Sequence, residues 1–240
     1  MALKQVADFL LPAGCAGCSG PIEESEASLP VCRNCRLGVR PVPTPVCERC
    51  GTPLGSGAAP SCLECSGWPT RLVWVRAASV LVPPASRLVH ALKYQGWRRV
   101  GHYMGREMAR TAPKRVAAAE VVVPVPTSPR TLRRRGYNQA RVIAEALADA
   151  LGVPLCDALG RHESTATQTT LSPIHRASNV RDAFHLSECH RKQLEGRSAL
   201  LVDDVITTGA TLAAAARALE PGAPAAILAY AFSRRVPLQH

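Results

Sequence analysis

Aromatic residues are scarce in this 240-residue chain, with Phe, Trp and Tyr together making up 4%. An aromatic-filled core is therefore excluded. Ala, Val and Leu must build the interior, which suits helices packed closely on a sheet better than an aromatic-rich sandwich. Long apolar runs are also missing. Nothing approaches the roughly 20 residues that cross a bilayer, so no membrane span is expected. The apolar stretch from Val6 to Leu11 is interrupted by Asp8 and followed by Pro12, too weak for a secretory leader, and a cytoplasmic location is expected. Acidic residues are depleted in one place. Residues 71–141 hold 15 Lys and Arg against 2 Asp and Glu, while residues 1–70 hold 5 against 6 and residues 142–240 hold 9 against 10. Positive charge concentrated in this way predicts anionic partners, either phosphate-rich small molecules or nucleic acid. The plain alternative is a solvated basic face. A hydrophobic content of 47% and a charged content of 20% exclude wholesale disorder.

Cysteine is abundant, and its spacing is regular. Cys15/Cys18, Cys32/Cys35, Cys47/Cys50 and Cys62/Cys65 are four Cys-x-x-Cys pairs. Each such turn offers two thiolates to one edge of a metal tetrahedron, and a second turn supplies the opposite edge. A disulfide framework would need an oxidising compartment, and thioredoxin-like chemistry would need a leading βαβ unit. Two structural Zn²⁺ ions are the expectation. Sequential pairing (Cys15, Cys18, Cys32 and Cys35 on one ion, Cys47, Cys50, Cys62 and Cys65 on the other) is favoured over interleaving. All eight ligands are Cys, which leaves no open position for substrate or water. Cys156 and Cys189 lack such partners and are expected to be ordinary thiols. The Pro- and Gly-rich spacers end near Trp68-Pro69-Thr70, so a zinc-ribbon domain over residues 1–70 and a second domain over 71–240 are expected.

From Leu72 the pattern changes to alternating strands and helices. Strands are expected at Leu72–Val82, Glu120–Val125, Ser198–Val202 and Ala225–Phe232. Helices are expected at Ser86–Tyr94, Val100–Thr111, Asn138–Leu151 and Thr211–Leu219. A basic loop is expected over Pro126–Gly136. Strands and helices at this pitch predict a doubly wound, parallel α/β sheet, with chemistry in the loops at the strands' carboxyl ends.

The most specific segment runs from Leu200 through Asp203-Asp204-Val205-Ile206-Thr207-Thr208-Gly209-Ala210-Thr211. An apolar strand delivers two carboxylates, and a small, hydroxyl-rich turn then opens a helix. That turn offers backbone N–H groups and the positive helix end to a phosphate. The carboxylates would repel the phosphate itself, but they suit a diol or Mg²⁺. Ribose 5-phosphate carries both features. The ordinary alternative is a capped helix after a strand with two solvated Asp residues, which gives no reason for the repulsion between them.

This segment resembles the 5-phosphoribosyl-1-pyrophosphate (PRPP) motif of type I phosphoribosyltransferases. Further blocks resemble the ComF family, associated with DNA uptake in competent bacteria: Leu92-Lys93-Tyr94, Val123-Pro124-Val125-Pro126, Arg135-Gly136-Tyr137-Asn138-Gln139-Ala140 and the stretch 167–179. The resemblance extends over the zinc ribbon and so over nearly the whole chain. It implies a type I PRTase-like fold, with Asp203 and Asp204 as the catalytic pair on the ribose hydroxyls. Thr207, Thr208, Gly209, Ala210 and Thr211 would hold the 5-phosphate. Thr127, Ser128, Arg133 and Arg135 would bind pyrophosphate, with Mg²⁺ accompanying PRPP. It further implies a strained cis peptide between Pro126 and Pro129. Residues 161–176, rich in Thr, are read as a hood that closes over the site, or simply as a surface loop. No residue identifies an acceptor. Two readings follow: a phosphoribosyltransferase, or a component that handles single-stranded DNA and uses the phosphate site only for binding. In the second, Tyr94, Trp97, Tyr103 and Tyr137 would offer stacking faces, the alternative being that they are core, which is favoured for Tyr103; the ribbons could meet DNA or a helicase-like partner.

Overall fold

The computed structural model describes residues 14–54, 62–162 and 183–236. The sheet is built from β1 (Leu72–Val80), β2 (Val121–Pro124), β5 (Ser198–Ile206) and β6 (Ala226–Arg234), in the order β1-β6-β5-β2 and parallel throughout. β5 and β6 are apolar and buried almost end to end, as strands covered on both faces must be. Five helices matter for the site: α1 (Ala85–Tyr94), α2 (Arg98–Arg110), α3 (Pro129–Arg135), α4 (Gln139–Leu151) and α5 (Ala210–Leu219).

Alternation along the strands sends side chains to two cores. Val122, Leu200, Val202, Leu228 and Tyr230 pack with α1, α2 and α4 on one face. Val121, Val123, Leu201, Ile227 and Ala229 pack with α5 on the other, beside a small antiparallel hairpin of β3 (Leu159–Arg161) and β4 (Phe184–Leu186). The doubly wound parallel sheet is therefore as expected. α2 and α4 approach closely because α2 carries Gly105 at their contact, where an added Cβ would fall 2.3 Å from the Ile143 carbonyl oxygen.

Three local expectations are corrected. The segment over 126–136 is not all loop: Ser128-Pro129 is a helix start, with Ser at the N-cap and Pro at the first position, and α3 follows. β5 does not end at Val202 but continues to Ile206, because β6 pairs with it as far as Ile206↔Arg234. No cis peptide lies between Pro126 and Pro129; among the described residues the cis bonds are Thr44–Pro45 and Pro83–Pro84.

The cysteine-rich region lies against the α/β body and covers the outer edge of β1. Val75 N–H donates to the Arg49 carbonyl (2.7 Å) and Val80 N–H to the Arg40 carbonyl (2.9 Å), which are ladder positions an edge strand would otherwise expose. Cys15, Val31 and Cys35 share a core with Leu88 and Leu92 of α1. Three arginines of the basic block serve this contact: Arg76 donates to the Glu48 carbonyl, Arg87 to that of Gly17 and Arg99 to that of Ser28. Among the described residues no helix is long and apolar enough to cross a membrane.

Candidate functional site

The cysteines settle into two sets, Cys15/Cys18/Cys32/Cys35 and Cys47/Cys50/Cys62/Cys65, with the sulfurs of each set within 4.8 Å of one another. The pairing is sequential. Sγ separations of 3.9 Å (Cys18–Cys32), 3.9 Å (Cys47–Cys65) and 3.5 Å (Cys50–Cys62) match the edge of about 3.8 Å that a tetrahedron with Zn–S bonds of about 2.3 Å requires. Backbone N–H groups of Gly17 and Cys32 donate to Cys15 Sγ at 3.3 and 3.2 Å. Burial pushes this thiol up, but backbone N–H bonds outweigh it and bring Cys15 down to about 7, while burial and the neighbouring thiols push Cys35 up; a bound metal would favour the thiolate at all four positions. Two structural zinc sites, closed to substrate, follow from the donor set.

The acidic pair stands where the sheet changes direction. After β2 the chain passes to α4 on one face; after β5 it passes to α5 on the other. Adjacent strands whose connections diverge in this way open a crevice at their carboxyl ends. Here β2 is also the shorter strand. Its ladder with β5 stops at Pro124↔Val202, with a last bond from Val125 N–H to the Val202 carbonyl at 2.9 Å, while β5 runs on through Asp203 and Asp204. A notch results. The Asp204 N–H faces it, and Asp203 Oδ1 accepts that hydrogen at 2.8 Å.

Both carboxylates are sheltered, Asp203 at 8% and Asp204 at 3% exposure. Because they occupy successive strand positions, Asp204 leans to the α1 face, where Lys93 Nζ lies 2.8 Å from its Oδ2. Burial, and next the charge of Asp204, push the Asp203 carboxyl well above the usual range; the Asp204 N–H and Lys93 act in the opposite direction. Burial pulls the Arg161 guanidinium on β3 down, and the Asp203 carboxylate works against that. Sequence reasoning had given Lys93 no role and Arg161 only a place at the start of the hood. The available signal was a lone cation closing the apolar face Leu88-Val89-Leu92 of α1, and an Arg at the end of Leu159-Gly160.

Beyond β5 the turn has the expected character. Thr207, Thr208 and Ala210 are exposed and Thr211 is half-buried. Gly209 caps α5 with φ +75°, which a side chain would strain, and Ala210 N–H reaches Thr208 Oγ1 at 3.4 Å. The ten-residue helix that follows starts at this exposed turn, with the positive end of its dipole there.

The predicted pyrophosphate residues are more dispersed. Thr127 follows the strand end next to the notch. Ser128 Oγ is occupied in capping α3 through the Thr131 N–H at 3.2 Å. Arg133 is exposed on α3. Arg135 turns to Gln139 Oε1 and lies over the Tyr94 ring at 5.7 Å. Asn138 ties this region down, donating to the Val125 carbonyl at 3.1 Å and capping α4. Of the hood, Arg161 and His162 are described; Thr165, Thr167, Thr169 and Thr170 lie outside the described residues. Among the described residues, no histidine is hydrogen-bonded or ion-paired to either carboxylate.

The aromatics divide in two. Tyr103 and Tyr137 are core, and Tyr137 Oη donates to the Leu92 carbonyl. Tyr94 and Trp97 are exposed, at 65% and 39%. Trp97, Arg87, Arg98, Arg99 and His90 line a cavity of about 1030 Å³ between the first cysteine set and the α1–α2 connection.

Two family models match separate parts of the chain. Residues 6–66 match the family model for a double zinc ribbon domain, and residues 138–237 match that for a phosphoribosyl transferase domain. The DNA utilization protein YhgH of Salmonella typhi is 33% identical over 218 residues, covering 87% of this chain and 91% of its own. Competence protein F of Haemophilus influenzae is 30% identical, covering 82% and 86%, and competence protein ComFC of Bacillus subtilis is 28% identical, covering 85% and 84%.

Proposed function

The chain belongs to the ComF family, with YhgH and the competence proteins F and ComFC, and from that membership we propose that it binds PRPP with Mg²⁺ and serves DNA uptake or utilization. The observation that carries the reading is the notch beside β5. Sheltered carboxylates there adjoin an exposed, Gly209-capped helix start, and a phosphorylated sugar can use both, its hydroxyls on the acids and its phosphate at the helix end.

In this reading, Thr207 to Thr211 present N–H and hydroxyl groups to the 5-phosphate, while Asp203 and Asp204 accept from the ribose hydroxyls. Their oxygens are hard donors that fit Mg²⁺, which would neutralise charge on the pyrophosphate. Lys93, now on Asp204, passes to the pyrophosphate when the hydroxyls claim the carboxylate. Thr127, Arg133 and Arg135 complete that side. Where transfer follows, a nucleophile bonds to C1 of the ribose as the C1–O bond to pyrophosphate breaks and the leaving group takes the electron pair. Such a reaction depends mainly on orientation and on stabilising the departing charge. The high proton affinity of Asp203 makes the site strongest where both carboxylates are ionised, hence weaker in acid.

The test is pyrophosphate release from PRPP and Mg²⁺ over a panel of purine and pyrimidine bases. Release that disappears in Asp203→Asn/Asp204→Asn supports transfer at this site; release indifferent to that change contradicts it. A second reading has its own observation. The cavity beside Trp97 is lined by three Arg side chains and no carboxylate, which suits a stacked base and its phosphates. In that reading the chain holds single-stranded DNA without transferring anything. DNA binding that falls steeply with salt, survives Asp203→Asn/Asp204→Asn and is lost in Trp97→Ala would favour it.

A further inference from the structure

We propose that the second cysteine cluster anchors the phosphate turn and that Trp68 is the positioning residue through which it acts. The inference rests on the ribose-phosphate reading of that turn and adds to it a reason for a zinc ribbon to be attached to this fold.

The contact at the turn is close. A Cβ on Gly209 would fall 2.3 Å from Trp68 Cζ2 and 2.7 Å from Cη2, so the indole edge lies against the residue that opens α5. Glycine has no side chain with which to fix its own left-handed conformation. The indole holds it from outside, and with it the direction of the N–H groups that follow.

Trp68 is in turn fixed from the cysteine side. Arg49, between Cys47 and Cys50, donates to the carbonyls of Cys65 (3.0 Å), Trp68 (3.3 Å), Pro69 (2.6 Å) and Leu72 (3.1 Å). One rigid guanidinium thus brackets the whole turn from the last zinc ligand to the start of β1. Two arms close the frame. Arg217 of α5 donates to the Gly67 carbonyl at 2.7 Å. Arg234, almost wholly buried at the end of β6, donates to the Cys50 carbonyl at 2.9 Å and pairs with Glu64 at 3.1 Å. The second cluster is therefore tied to the turn, to the helix behind it and to the strand beside it. The first cluster packs instead against the start of α1, where Gly17 meets Pro84 and Arg87. The two zinc sites are unequal: the second one supports ligand binding.

The test uses the full chain, with zinc bound and Mg²⁺ present. Ribose 5-phosphate and PRPP are titrated by calorimetry into the wild type, Trp68→Phe and Trp68→Ala, and tryptophan emission is followed in parallel. Trp68→Ala should weaken both ligands by at least about tenfold. Trp68→Phe, which keeps a flat ring against Gly209, should stay within about threefold. The emission change on ligand binding should persist in Trp97→Phe and vanish in Trp68→Phe, although the latter still binds; a merely structural role would not produce that signature. Wild-type affinity in Trp68→Ala, or an emission change that survives Trp68→Phe, overturns the anchor alone. A wild-type chain that binds neither ligand overturns the ribose-phosphate reading, and the anchor with it.

Discussion

At the scale of single residues, a buried acid beside another acid is a cost that the fold bears. The sign can be worked out for Asp203. Its proton is held more tightly folded than unfolded, so this carboxyl favours the folded chain least once pH has risen through its raised folded value. Asp203→Asn should therefore raise the melting temperature by at least about 2 °C at pH 8, with the gap closing as pH falls toward 4. A melting series over that range checks it; a variant less stable than wild type at pH 8 would refute it. Lys93 makes the complementary case. Removing it strands the 4%-exposed Asp204 side chain, so Lys93→Ala should cost about 3 kcal/mol in urea unfolding. Adding Asp204→Asn should recover most of that loss, which is the signature of a true pair.

At the scale of elements, the sequence was most legible where periodicity was strong. The starts of β1 and β5 and the ends of α1 and α4 fall where the apolar pattern put them, and α4 starts one residue later than expected, after its Asn138 cap. Ends were harder to place, because they depend on a neighbour the sequence does not show. β5 runs past Val202 only because β6 runs beside it, so the acidic pair lies within a strand rather than beyond one. α3 was missed because three consecutive Arg drew attention to charge rather than to the Ser-Pro start that precedes them. The β3–β4 hairpin, three residues a side, is too short to carry a period of its own. Packing between elements also rests on single positions. Gly105→Val should destabilise the chain by about 3 kcal/mol or more, since its Cβ would meet the Ile143 carbonyl, 2.3 Å away on α4. Equilibrium unfolding measures this, and a change below 1 kcal/mol would be too small for so close a contact.

At the scale of the whole molecule, net charge was the least reliable guide. Several arginines of the basic block hold the ribbon's carbonyls, so part of the excess positive charge is mortar between two halves rather than bait for an anion. The four Cys-x-x-Cys pairs, by contrast, specified eight thiolate ligands for two ions, and the structure groups them in the sequential order that was favoured over interleaving. The ribbon's place on the edge of β1 could not be read from either. It predicts a graded response to metal removal by chelation at neutral pH: the amides of Val75 and Val80, bonded to ribbon carbonyls, lose hydrogen-exchange protection first, while those of Val123 and Leu201, deep in the sheet, keep theirs longer. Simultaneous loss everywhere would contradict that order. The central claim concerns the notch where β2 stops short of β5, and calorimetric titration of PRPP with Mg²⁺ tests it most directly. A single saturable site is predicted for the zinc-loaded wild type, weakened at least about 100-fold in Asp203→Asn/Asp204→Asn with the zinc content and melting profile of a folded chain. Equal affinity in the two proteins would contradict the account.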